Sequence, residues 1–307
     1  MSLVLISGGT GLIGTNITQK LVKKGYQVVI LTRNDRTSTN PSVSFSKWDI
    51  DNQIIDEELV ATADYIIHLA GANVAEKRWS KKRKKEILGS RVKSGELLCK
   101  AILKNTNRLK AFVSASAIGW YGPDPEIPNP TPFREEMPHF NDFLGISCYQ
   151  WENSLQSIER AGIRLIKLRT GIVLSKEGGA IKEFKKPIKY GFATVMGNGK
   201  QMVSWIHIDD LARLYVTALE NNRFKGVYNA VAPALVNNAN FIRELARQMK
   251  GKFFTEIKIP KSVLKLVLGE MSIEVLKSAT VSSEKLTQEG FIFQYPTLSA
   301  ALEEILN

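Results

Sequence analysis

The chain is short of the residues that would let it fold by cross-linking or act through a metal. Its 307 residues include two cysteines, Cys99 and Cys148, and three histidines. A chain of this length buries roughly 75% of the surface its unfolded form exposes. It needs no disulfide framework, two cysteines cannot build one, and a reducing compartment fits. His68, His139 and His207 are dispersed with no Cys or Asp at ligand spacing, so no metal site is expected. No stretch of about 18 apolar residues occurs. The opening Leu3-Val4-Leu5-Ile6 run is too short for a signal peptide and lacks a basic leader. The expectation is a cytoplasmic, unanchored protein with no membrane partner. Repeats and low-complexity tracts are also missing, which excludes solenoid and disordered architectures.

What is present is ordinary for a globular chain: 44% hydrophobic and 23% charged residues. Apolar runs of strand length alternate with helical periodicity, the pattern of βαβ units and a parallel sheet. The runs are Leu3–Ser7, Gln27–Thr32, Val43–Trp48, Tyr65–Leu69, Lys110–Ser114 and Arg164–Leu168. Helices are predicted over Leu12–Lys24, Lys81–Lys104 and Phe143–Ala161. After Leu168 the rhythm changes, with Gly178-Gly179, Gly197-Asn198-Gly199, and a strand-to-helix junction from Ser204 to a cap at Asp209. A further helix follows Asn237 or Asn238, and Pro260 and Pro296 suit later helix starts.

Charge is unevenly spread. The chain carries +12, and from Glu76 to Lys110 there are 13 Lys/Arg against three Glu. The run from Lys77 to Lys85 opens a helix whose other face is apolar, so it reads as a solvated face and not as a nucleic-acid site. Arg78, Arg91 and their neighbours would raise the local potential for a phosphorylated ligand.

The most informative segment is Ser7-Gly8-Gly9-Thr10-Gly11-Leu12-Ile13-Gly14, after one predicted strand and before one predicted helix. A pyrophosphate approaches the backbone only where no Cβ obstructs it and where a helix offers free N–H groups. Glycines at these spacings meet that need. Cofactor choice falls at the end of the second strand, Leu31-Thr32-Arg33-Asn34. Thr32 stands where an NAD enzyme places an acid, and Arg33 suits a 2′-phosphate, so NADP (NADPH) is favoured; Asp35 two residues on is the opposing signal.

These residues resemble the extended short-chain dehydrogenase/reductase superfamily, in its atypical, nucleotide-sugar epimerase-like group with a C-terminal extension. The resemblance spans the chain through Gly8–Gly14, Leu69-Ala70-Gly71-Ala72-Asn73, Lys77-Arg78-Trp79, Ser90-Arg91-Val92, Ser114–Ala117 with Tyr121-Gly122, Leu168–Gly171 and Ser204–Leu211. It implies an α/β fold, a Rossmann-type doubly wound parallel sheet with a smaller, mostly helical C-terminal lobe. Residues 1–175 would form the NAD(P)-binding domain, completed by about 203–232, while 176–202 and 233–307 form the lobe. It also implies Asp49 near the adenine, and Leu69, Ala70 and Gly71 along the path to the nicotinamide.

One departure stands out. Relatives in that superfamily pair a Ser or Thr with Tyr-x-x-x-Lys, the tyrosine moving the proton and the lysine lowering its pKa. Ser116 matches the serine, but aligning Glu152 puts Leu144 and Cys148 where the pair belongs. Ser116 is therefore expected just past a strand end as a catalytic contact or a turn cap, and Tyr121 as a substitute proton donor or packing. Trp120, Arg169, Trp205 and His207 are the substrate-side candidates. Arg91 and Arg169 are ligands for an anion or ion-pair partners; His207 shapes a pocket or orients backbone; Cys148 reads as buried filler. Two functions remain: an NADP-dependent enzyme transferring hydride to or from a nucleotide-linked sugar or similar small molecule, and an NADP-binding sensor or scaffold with little turnover. A second copy of the chain, giving a homodimer, is the one protein partner considered.

Overall fold

The structure is a computed structural model describing residues 1–104 and 106–307. At its centre is a seven-stranded parallel sheet formed by β1 (Leu3–Ser7), β2 (Gln27–Thr32), β3 (Val43–Lys47), β4 (Tyr65–His68), β5 (Ala111–Ala117), β6 (Arg164–Thr170) and β7 (Gly226–Ala230). The strand order is β7-β6-β5-β4-β1-β2-β3. The longer helices are α1 (Leu12–Lys23), α2 (Lys81–Lys104), α3 (Phe143–Asn153), α4 (Ala180–Lys189), α5 (Ile208–Glu220), α6 (Asn238–Lys250), α7 (Lys261–Leu268) and α8 (Leu298–Leu306).

Strands covered on both faces read as unbroken apolar runs, because alternate side chains enter opposite cores. Val4, Ile6, Val28 and Ile30 enter the core under α1 and α5. Leu5, Val29 and Leu31 enter the one under α2. The lobe has its own core, where Ile181 of α4, Phe241 and Leu245 of α6 and Leu302 of α8 surround Trp205.

The structure departs from the sequence expectation at element ends. β5 and β6 run on as partners to Ala117 and Thr170, so Ser116 lies opposite Arg169 inside the strand pair and not beyond it. The small residues Ala115, Ser116 and Ala117 carry no strand signal of their own; pairing overrides propensity. The helix expected over Phe143–Ala161 breaks after Asn153, where the Ser154 hydroxyl donates back to the Trp151 carbonyl at 2.7 Å. α5 is capped by His207, whose Nδ1 accepts from the Asp209 amide at 3.2 Å, and not by Asp209 itself.

Two buried aspartates tie the C-terminal extension to the sheet domain. Asp124 accepts from the Thr280 amide at 2.9 Å and from the Ser278 and Thr280 hydroxyls at 2.6 and 2.8 Å. Asp210 accepts from the amides of Gln294 and Tyr295 at 2.8 and 2.9 Å, and pairs with Arg213. Hydrogen bonds to a charged group contribute roughly 1.5–3 kcal/mol each, and stranding buried amides costs more. We predict that Asp124→Ala and Asp210→Ala each lower the unfolding free energy by about 3 kcal/mol, read as a fall in the urea midpoint at unchanged m-value.

Candidate cofactor and substrate cleft

The strand order reverses between β1 and β4, and in open α/β sheets ligands bind beyond the strand ends at such a switch point. Gly8 follows β1 there with φ +73°, and a Cβ on it would lie 2.9 Å from the Leu69 carbonyl carbon. A Cβ on Gly14 would lie 2.5 Å from the Gly8 oxygen. The first turn of α1 therefore rests directly on the bend. Gly11 caps α1 without a side-chain hydrogen bond, so the first-turn amides of Leu12, Ile13 and Gly14 have no intrahelical acceptor and present the positive end of the helix. Gly8, Thr10, Gly11, Leu12, Ile13 and Gly14 are thus brought together, and their geometry fits a diphosphate.

At the end of β2, the Thr32 hydroxyl bonds to its own turn, donating to the Asn34 carbonyl at 3.0 Å. Asp35 pairs with Lys47 at 3.3 Å. Among the described residues Arg33 has no hydrogen-bonded or ion-pair partner, and it is exposed. Arg36 and Asn40, which no sequence motif marks, line with Thr10, Gln19 and Lys23 a groove of about 490 Å³ between α1 and β3. Asp49 stands just past β3, where its carboxylate closes a local turn. It accepts from the Asp51 and Asn52 amides, both at 3.0 Å, and the bonds from Asn52 hold it below the usual carboxylate range.

Beneath the bend lies a buried chain of hydrogen bonds. His68 Nδ1 lies 2.6 Å from the Ser7 hydroxyl, and Nε2 lies 3.3 Å from Ser94, whose own hydroxyl donates to the Ser90 carbonyl at 2.7 Å. The hydrogens fit one direction: Nε2–H donates to Ser94, Nδ1 accepts from Ser7, and Ser7 Oγ accepts from the Ala70 amide at 3.4 Å. Burial pushes the imidazole down to about 4, keeping it neutral. Leu69 and Ala70 are fixed by this chain and by the Gly8 approach. Arg91 of α2 packs against Gly71, donates through Nη1 to the carbonyls of Ala72 and Ile87 at 3.0 and 2.8 Å, and stacks over Trp151 with its guanidinium 5.0 Å from the ring centre.

The ends of β5 and β6 hold a second buried network. Ser116 Oγ donates to Glu152 at 2.7 Å, and Arg169 grips the same carboxylate with two N–H groups at 2.8 and 3.1 Å. Arg169 also donates to the Tyr121 hydroxyl at 3.0 Å, which donates to Asn229 at 2.8 Å. Burial raises Tyr121 to about 12 even with Arg169 beside it. Trp120 covers this cluster, with the Arg169 guanidinium 3.6 Å from its ring centre. Glu152 was visible in the sequence only as an alignment marker, and Asn229 was not visible at all. Cys148 is buried against the Ala117 carbonyl, and burial raises its thiol to about 12.

The two remaining candidates lie elsewhere. Trp205 is fully buried in the lobe core. His207 caps α5 and bonds Glu304 through Nε2 at 2.8 Å, with Tyr295 against its ring. Trp205 thus packs within the lobe, and His207 orients backbone, one of the two roles the sequence left open to it.

His68 supplies a pH test. Its native pKa of about 4 lies below the ordinary 6.5. Below pH 6.5 the unfolded chain binds a proton that the native state refuses, so stability is full above that pH and is lost as pH falls towards 4. We predict a loss of about 2 kcal/mol between about pH 7 and about pH 5 in urea titrations. His68→Gln should lack that part of the slope.

Comparison with known proteins agrees with this geometry. Residues 4–231 match the model of the NAD dependent epimerase/dehydratase family, and residues 259–305 match a domain of unknown function, DUF1731. Epimerase family protein SSP1921 of Staphylococcus saprophyticus is 34% identical over 99% of both chains. The crystal structure of human epimerase family protein SDR39U1 (isoform 2) with NADPH is 32% identical, with a TM-score of 0.85 over 99% of this chain and 98% of that one. A nucleoside-diphosphate sugar epimerase from Corynebacterium glutamicum is 30% identical with a TM-score of 0.79, covering 99% of this chain and 58% of that one. The bend at the switch point, the seven-stranded order around it and these matches lead to one conclusion: the chain belongs to the NAD dependent epimerase/dehydratase family.

Proposed function

We propose that this protein binds NADPH in the cleft over β1, β2 and β4, and carries out hydride-transfer chemistry on a nucleotide-linked sugar or a similar small carbonyl or alcohol. The observation that carries the reading is the glycine bend with its free first-turn amides, flanked by an arginine that has no ion pair among the described residues. Gly8, Thr10, Gly11, Leu12, Ile13 and Gly14 would hold the diphosphate, and Arg33 with Arg36 the 2′-phosphate. Asp49 would border the adenine, and Leu69, Ala70, Gly71 and Arg91 the nicotinamide half. The NADPH in the human relative's structure supports the choice of cofactor.

Such a cofactor supplies a hydride; the chain must handle the proton. Ser116 gives its own hydrogen to Glu152, which leaves its lone pairs free to accept from a substrate hydroxyl. When an alcohol is oxidised, with the oxidised form of the cofactor taking the hydride from its carbon, the hydroxyl proton would pass to Ser116 Oγ as the serine proton moves to Glu152; carbonyl reduction, with the reduced form giving the hydride, would run the same proton route backwards. Arg169 keeps the carboxylate in place through its two-point grip. In this reading Tyr121 is a positioning residue, its hydroxyl already donating and accepting within the network. The basic segment beside the cleft favours an anionic substrate: Lys81, Lys82 and Lys85 have no ion pair among the described residues.

A second reading, an NADP-binding protein of little turnover, draws on Leu144 and Cys148 at the positions of the usual tyrosine and lysine. Turnover of NADPH or NADP across a panel of nucleotide sugars and simple carbonyls separates the two. Tight NADPH binding with no turnover on any of them would favour the second.

Two sets of variants test the assignments. Arg33→Ala and Arg36→Ala should each weaken NADPH at least tenfold and leave NADH unchanged by calorimetry; equal affinity of the unmutated protein for both dinucleotides would overturn the cofactor choice. Ser116→Ala should lower kcat about a hundredfold with KM nearly unchanged, the cost of a lost proton path. Tyr121→Phe should instead cost about 1–2 kcal/mol of stability while kcat changes little.

A further inference from the structure

Two turns lie side by side at one end of the lobe. Lys189-Tyr190-Gly191-Phe192 leads out of the last residue of α4 and Lys250-Gly251-Lys252-Phe253 out of the last residue of α6. The Thr255 amide donates to the Gly191 carbonyl at 2.8 Å, and the parallel strands Phe192–Met196 and Thr255–Ile259 lead away from the pair. At their far ends these strands reach Gly197, beside Lys261 of α7 and Leu276. Beyond α7's start, the Leu266 carbonyl and Glu270 meet Arg78 and Lys84, from the segment that follows β4. The two turns therefore lie at the end of the small sheet opposite α7.

Their chemistry is unusual for an exposed surface. Tyr190 is 82% exposed and Phe253 is 88% exposed. Phe192 and Ile257, on the outward face of the same strands, are exposed as well. Apart from its own chain neighbours, no atom of the described residues would lie within 4 Å of a Cβ on Gly191 or on Gly251, so both turns project into solvent. Lys189, Lys250 and Lys252 are exposed and have no ion pair among the described residues. The neighbouring acids are engaged elsewhere: Glu183 with Lys186, Glu244 with Arg247 and Glu256 with Arg243.

We propose that this double turn docks the protein peripherally on an anionic phospholipid bilayer. Tyr190 and Phe253 enter the interfacial layer, while Lys189, Lys250 and Lys252 meet the anionic headgroups. Amphipathic rings above a collar of cations are the composition that such interfaces select. A second copy of the chain fits poorly, because it would bring the same three cations to the contact. A protein partner fits less well than a bilayer, because specific interfaces need about 800 Å² per side and this feature is a narrow, convex crest. Docking in this way goes beyond the sequence expectation of no membrane partner, since it needs no helix that crosses one.

The test uses the full chain in sedimentation with phosphatidylcholine vesicles, with and without phosphatidylserine, at low and high salt. Binding should require phosphatidylserine and weaken with salt. Each lysine near such a surface contributes about fivefold, so K189Q/K250Q/K252Q should weaken binding about a hundredfold. Y190S/F253S should weaken it at least tenfold. Melting temperature and NADPH affinity of both variants should match the unmutated protein, which excludes misfolding as the cause. Failure to bind the anionic vesicles, equal binding to neutral ones, or variants that bind as the unmutated protein does would each overturn the proposal. So would ultracentrifugation showing a dimer that Y190S/F253S abolishes.

Discussion

A helix can begin in van der Waals contact with the end of a strand only if nothing stands between their backbones. That constraint, met where Gly14 rests on Gly8 and Gly8 on the Leu69-Ala70 peptide, sets the geometry of the whole cleft. It brings the positive end of α1 over the switch point and leaves its first amides facing outward. It also fixes the start of the segment after β4, from which Gly71 and the basic approach to α2 follow. The His68 chain works on the same place from below, binding β1, β4 and α2 through side chains that a neutral imidazole alone can satisfy. The bend is thus stiff because both of its supports are buried.

Much of this was readable in the residues. The first two strands were found to the residue, since parallel strands buried on both faces print as unbroken apolar runs. The glycine spacing marked the bend, because no other residue type permits so close an approach. What could not be read depended on partners distant in sequence. The sequence places Ser116 beyond a strand because its small neighbours carry no pattern, and only the pairing with β6 shows otherwise. His207 and Trp205 sit in a recognisable motif, yet their surroundings come from residues 295–305, which no local signal connects to them. Arg36 belongs to no motif and gains its meaning from the groove it lines.

The second network has a logic of its own. A buried ion pair is costly to desolvate, and it persists where its remaining hydrogen bonds are satisfied. Here Arg169 spreads its donors over Glu152, Tyr121 and the Glu135 carbonyl, and its guanidinium lies against the Trp120 ring. The cluster occupies the end of the sheet where the family usually keeps a tyrosine and a lysine. Polar side chains there are held by one another, which makes the region rigid whatever passes over it.

The two aspartates that receive the C-terminal extension add a matter of timing. Asp124 emerges from the ribosome more than 150 residues before Thr280, the residue that satisfies it. Until then the sheet domain carries a carboxylate whose Ser278 and Thr280 donors do not yet exist. Assembly of this molecule is thus closed from its tail end, and a nascent chain halted before residue 278 would leave the Asp124 carboxylate without the Ser278 and Thr280 donors.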